Sequence, residues 1–151
     1  MKLRPDILEK LGRFCSYQER CIEDVKAKLI KLGLGASSIE GYVEYLLEID
    51  VLNEERFART YTKSKFNIKS WGRIKIRHAL RLKKIPSELI ELAWNEEISE
   101  DDYLARIGEL AHKKRRSTKS TNEYKNKAAI IRYLQQKGFE YDLILDHLNT
   151  N

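Results

Sequence analysis

The sequence predicts an all-α protein: three tandem three-helix repeats forming an elongated, curved body. Three observations lead there. The chain has 151 residues with only seven Gly and two Pro, and 34% of its residues are charged, which favours long helices. Apolar residues recur at helical rather than alternating spacing. The third is internal repetition: "VKAKLIKLGLGASSI" (25–39), "IRHALRLKKIPSELI" (76–90) and "IIRYLQQKGFEYDLI" (130–144) superpose without a gap. Val25, Ile76 and Ile130 align, then Leu29, Leu80 and Leu134, then Leu34, Ile85 and Phe139, then Ile39, Ile90 and Ile144. One helical turn further come Val43, Trp94 and Leu148. Each unit is too small to hide its apolar face alone, so stacking of neighbours is expected.

The first unit spans 1–52, with helices expected over 6–17, 21–32 and 37–50. Ser37-x-x-Glu40 reads as a capping box, and Gly33 follows an apolar run where a left-handed helix terminus favours glycine. The second unit, 53–98, has helices expected over 53–68, 71–83 and 87–97, the first opened by Asn53 with Glu54 and Glu55 in its first turn. "GRIKIRH" alternates briefly, but its neighbours extend the helical pattern. The third unit, 99–151, has helices expected over 99–116, 121–137 and 141–149. Ser99-x-x-Asp102 and Ser120-x-x-Glu123 read as their starts, and Gly138 as a left-handed terminus.

Charge is arranged in blocks within a chain of net charge +6. Residues 1–58 carry nine basic and eleven acidic side chains; residues 59–84 carry ten basic and none acidic. Residues 88–109 hold eight acids and one base, and residues 113–137 hold nine bases and one acid. On a helical wheel Arg73, Arg77, Arg81 and Lys84 fall within an arc of about 80°. Ile76 and Leu80 point to the core, and Ile74 and Leu82 share a further sector with Trp71, expected to pack against neighbours. Successive like charges without interleaved Glu disfavour a merely solvated face, so an anionic partner is expected, nucleic acid or acidic protein. Lys113, Lys114, Arg115 and Arg116 form a second candidate contact, more cations than a helix C-terminus alone requires. Tyr61, Phe66, Trp71 and Tyr124 interleave with these bases; at helical spacing they read as core rather than as a base-stacking platform.

No Gly-rich phosphate loop, HExxH or nucleophile elbow is present, and no enzyme activity is expected. Cys15 and Cys21 lie six residues apart without CxxC or His partners, so neither a metal nor another cofactor is expected. Cys15 reads as a small core residue. The opening "MKLRPDILEKLGRF" lacks a signal-peptide apolar run, and no stretch is long enough to span a membrane; a soluble, cytoplasmic monomer is the expectation.

The segment "LNEERFARTYTKSKFNIKSWGRIKIRHALRLKKIPSELI" resembles the RecX family of bacterial RecA modulators. The resemblance runs through Glu55 to Ala58, Tyr61, Gly72, Ile74, Leu80 and Leu89–Ile90. "KGFEYDLI" (137–144) is similar to the family's last repeat, and "KAKLIKLG…IEGYVEYLLEIDVL" to its first. Two departures stand out: Cys21 where the family often caps with Ser, and Lys83–Lys84 where it often has Lys-Gly. The resemblance implies three helical repeats lying in the groove of a RecA–DNA filament. It implies inhibition of RecA strand exchange and coprotease activity, in DNA recombination, repair and the SOS response. A direct DNA-binding protein acting without RecA is the alternative, and single- or double-stranded DNA is a possible partner in either case.

Overall fold

The computed structural model describes residues 2–118 and 120–150. Among them are nine helices and no strand, in three triplets. The first is α1 (Pro5–Tyr17), α2 (Ile22–Lys31) and α3 (Ala36–Glu48). The second is α4 (Glu54–Lys69), α5 (Arg73–Leu82) and α6 (Ser87–Glu97). The third is α7 (Glu100–Ser117), α8 (Glu123–Lys137) and α9 (Tyr141–Thr150).

The starts follow from local hydrogen bonding. Asn53 caps α4 by accepting from the Arg56 amide at 2.9 Å, and Ser99 caps α7 by accepting from the Asp102 amide at 3.1 Å. Two expected caps lie elsewhere. Ser37 falls inside α3, whose N-cap is Gly35, and α8 is capped by Asn122, which accepts from the Lys125 amide at 3.3 Å. Ser120 instead accepts from the Asn122 amide at 3.1 Å, two residues too early to cap the helix. In both cases a second cap-competent or permissive residue lies within two positions, and the motif alone does not choose between them.

The repeat is written into the backbone. After α2, α5 and α8 the chain turns through Gly33 (φ 91), Lys84 (φ 59) and Gly138 (φ 99), three equivalent positions. Each turn carries the same two hydrogen bonds. Leu34, Ile85 and Phe139 amides donate back to the carbonyls of Leu29, Leu80 and Leu134, each at 3.1 Å. Gly33, Lys84 and Gly138 amides donate to Ile30, Arg81 and Gln135 at 2.9, 2.9 and 3.0 Å. This pairing closes the helix end and folds the next apolar side chain inward. Lys84 therefore adopts the left-handed terminus even though it stands where the family often has glycine.

Packing is unequal along the array. The first triplet has its own core around Leu11, Val25, Leu29 and Tyr42, while the second and third share one core. An aromatic chain crosses that shared core: Phe66 to Trp94 at 6.4 Å, Trp94 to Tyr103 at 5.0 Å, Tyr103 to Phe139 at 5.3 Å. Such edge-on and tilted pairs add about 0.5–1.5 kcal/mol each beyond the area they bury.

The junction between the first and second triplets is polar by contrast. Arg56 grips Glu19 at 2.7 Å and also donates to the carbonyls of Asp50 and Val51. Lys83 Nζ reaches Asp24 at 2.9 Å, and Glu54 accepts from the Ile22 amide at 3.0 Å. Cys21, from the first triplet, sits fully buried in the shared core. Its amide donates to Asp24 at 3.2 Å, which serves the start of α2 without a serine, and burial pushes its thiol up to about 11.

Candidate interaction surface

The ten bases of residues 59–84 divide into three groups. The first is consumed by the fold. Arg59 pairs with Glu97 at 2.9 Å, and that hydrogen bond raises the guanidinium further above its ordinary value. Arg73 donates from Nε to Glu140 at 2.8 Å, and Arg77 pairs with Glu91 at 2.7 Å. Lys83 holds Asp24; burial opposes the charged carboxylate, but the Lys83 hydrogen bond and the Cys21 amide outweigh it and hold Asp24 below its usual value.

The expected stripe therefore splits. Arg73 and Arg77 are half-buried and bound to acids brought in from the α8–α9 loop and from α6. Arg81 is exposed with no carboxylate within 4 Å among the described residues, and Lys84 is exposed with Glu23 only at 3.9 Å. Ile74 and Leu82 do not pack as expected: they are 52% and 71% exposed. The outer face of α5 is therefore a mixture of Ile74, His78, Arg81 and Leu82, all exposed. The wheel places residues on sectors, but only the neighbours that arrive from elsewhere in the chain decide which sector is covered.

A second group consists of lysines set over aromatic rings. Lys65 Nζ lies 5.0 Å and Lys75 Nζ 4.6 Å from the Trp71 ring centre, with Tyr61 edge-on to Trp71 at 6.5 Å. Lys114 and Lys137 approach Tyr133 at 5.3 and 5.9 Å. The third group, Lys63, Lys69, Arg81 and Lys84, is exposed. The sequence reading did not single out Lys65, Lys69, Lys75 or Lys137. Their signal was present in the basic tract around Trp71, but the link to Lys137 spans 68 residues and only the fold makes it.

Of the second candidate cluster, Lys113 and Arg116 are exposed near the end of α7, Arg115 pairs with Glu123 at 2.7 Å, and Lys114 covers Tyr133. Lys119, in the same basic block, lies outside the described residues. Among the four aromatics, Phe66 is buried, Tyr61 and Trp71 are partly buried against the core, and Tyr124 is exposed.

Two concavities flank this surface. A groove of about 700 Å³ runs along α4 and is lined by Arg56, Arg59, Lys63, Ser64 and Asn67 together with Glu55 and Glu97. A cleft of about 520 Å³ opens beside Arg73, Trp94, Tyr103 and Glu140. Tyr103 there accepts from the Arg73 amide at 2.9 Å and donates to Glu140 at 2.5 Å. Burial, and next the bond to Glu140, push its hydroxyl pKa well above the ordinary value, so it stays protonated. Among the described residues no group of three or more His, Cys, Asp or Glu is placed to hold a metal ion. No helix among them is long and apolar enough to cross a membrane.

Comparison with known proteins places this architecture. Residues 53–93 match the model of the RecX second three-helix domain, and residues 100–148 match that of the third. The protein "Regulatory protein RecX" of Prosthecochloris aestuarii is 30% identical over 152 residues, covering 97% of each chain. That of Clostridium perfringens is 33% identical over 122 residues, covering 80% of this chain but only 56% of the relative. The chain thus spans little more than half the length of some relatives it matches. Two solved structures share the fold. A crystal structure of regulatory protein RecX has a TM-score of 0.85 at 21% identity, covering 95% of this chain and 70% of that one. RecX from Lactobacillus salivarius has a TM-score of 0.81 at 23% identity, covering 97% of both. The two domain matches and the end-to-end similarity to the Prosthecochloris protein agree, and the chain belongs to the RecX family.

Proposed function

We propose that the chain is a non-enzymatic, monomeric, cytoplasmic regulator of homologous recombination that binds the RecA–DNA filament in its groove. It suppresses RecA's DNA-dependent ATPase, strand exchange and coprotease activity. The observation that carries this reading is the end-to-end match to a protein named "Regulatory protein RecX", over 97% of both chains. A basic surface on the second and third triplets supports it, since nucleoprotein filaments present phosphate and acidic side chains.

The contact set narrows within that reading. Arg81, Lys84, Lys113 and Arg116 are exposed and serve as contacts, whereas Arg73, Arg77 and Arg115 are engaged with Glu140, Glu91 and Glu123. Reversing Arg73 or Arg77 would leave a half-buried carboxylate facing another, so loss of function there would report on folding. Arg81→Glu with Lys84→Glu tests the contact without that ambiguity.

The experiment is to measure binding of labelled protein to RecA filaments on single-stranded DNA and to the same DNA alone, at physiological salt. Much tighter binding to the filament is expected. Equal affinity for bare DNA would instead assign the chain to DNA binding independent of RecA.

A further inference from the structure

The two basic blocks are far apart in sequence, with the acidic block between them, yet the fold joins them at one corner. Lys137 Nζ donates to the Lys69 carbonyl at 3.0 Å, and the Gly72 amide donates to the Lys137 carbonyl at 2.7 Å. Gly138 lies directly against the backbone of Lys75. The result is a line of ammonium groups and rings: Lys65 and Lys75 over Trp71, Lys69 and Lys137 at the corner, Lys137 and Lys114 over Tyr133. Among the described residues none of these five lysines has a carboxylate within 4 Å, although most arginines of the same blocks do.

We propose that this lysine line is a contact for the phosphodiester backbone of nucleic acid, running across the second and third repeats. The chemistry favours a polyphosphate over an acidic protein surface. Ammonium groups act as point charges that neutralise successive phosphates without demanding the planar, bidentate geometry that guanidinium satisfies with carboxylates. The rings under the lysines restrict where the ammonium groups sit while leaving their outer side open. Arg59, Arg73, Arg77 and Arg115 are spent on the fold's own acids, whereas the five lysines of the line face no carboxylate among the described residues. Binding through this line is therefore insensitive to base sequence and steeply dependent on salt.

The proposal does not depend on RecA, and its test contains none. Fluorescence anisotropy with a labelled 30-nucleotide oligothymidylate, and with a 30-base-pair duplex, would be measured over a range of NaCl concentrations. The variants are Lys69→Gln/Lys75→Gln/Lys114→Gln on the line and Lys2→Gln/Lys10→Gln/Lys31→Gln, at exposed positions of the first triplet, as an equal-charge control. Lys137 is spared because it also serves the end of α4. The line variant is expected to lose roughly tenfold or more in affinity at low salt, and its log–log salt slope to shrink by about two on the single strand. The control is expected to stay within about twofold of the parent, and melting temperatures identify any variant that has lost its fold. Equal losses on single strand and duplex identify the shared backbone as the ligand. Unchanged affinity and slope in the line variant would overturn the proposal, as would an equal loss in the control.

Discussion

Gly72 and Gly138 meet backbone to backbone, 66 residues apart in sequence. A Cβ on Gly72 would lie 2.5 Å from the Phe139 nitrogen, and one on Gly138 would lie 2.7 Å from the Lys75 nitrogen. The contact lets the first amides of α5 find partners in the third triplet. Gly72 donates to Lys137, Arg73 to the Tyr103 hydroxyl, and Ile74 to Gly138 at 3.0 Å. Helix starts leave such donors unsatisfied, and here a neighbouring repeat closes them. Gly72→Ala is expected to cost about 2–3 kcal/mol, because both partners are backbone and cannot rotate away. A melting temperature lower by about 5–10 °C checks it.

The three equivalent turns separate conformational strain from crowding. Gly33 has φ 91 with open space around it, whereas Gly138 has φ 99 with Lys75 pressed against it. Gly33→Ala should therefore cost about 1 kcal/mol, the left-handed term alone. Gly138→Ala should cost at least twice that. Lys84→Gly, relieving φ 59, should be neutral to stabilising by up to about 1 kcal/mol, since glycine's greater unfolded-state entropy offsets part of the gain. Denaturant midpoints of the three variants give the order directly.

Tyr103 joins Arg73 and Glu140 across the second and third triplets. Tyr103→Phe leaves the Arg73 amide and the Glu140 carboxylate without that hydroxyl, in a site that is largely buried. A loss of about 2 kcal/mol is expected by urea denaturation. An unaffected stability would show that solvent replaces the hydroxyl.

The polar junction between the first and second triplets should respond to acid. Asp24 is held below its ordinary value, so its contribution is fully present above the unfolded-state pKa, near 3.8, and is lost as pH falls through the lower folded-state value. Lys83→Met removes the partner and should cost about 1 kcal/mol at pH 7. Between pH 5 and pH 2 the gap between parent and variant should narrow. A gap that stays constant over that range would show that the Lys83–Asp24 pair adds nothing.

Much of this architecture was legible in the sequence because helical periodicity and repeat spacing are local signals. Gly33 and Gly138 marked their turns, and Val25, Ile76 and Ile130 marked equivalent core positions, each buried. The surface was less legible. Arg73 and Glu140 are 67 residues apart, so a wheel drawn for α5 alone could not show that the guanidinium was taken. The same wheel could not show that nothing covers Leu82. Lys69 and Lys137 stand in different charge blocks, and only the docking of α5 on the α8–α9 turn brings them together.

Regulation of RecA by this protein can be measured through RecA's ATPase on single-stranded DNA, titrated with the protein. The expected result is suppression that deepens as the protein is added, weakened by Arg81→Glu/Lys84→Glu with the melting temperature unchanged. An ATPase rate unaffected even at equimolar protein would contradict it.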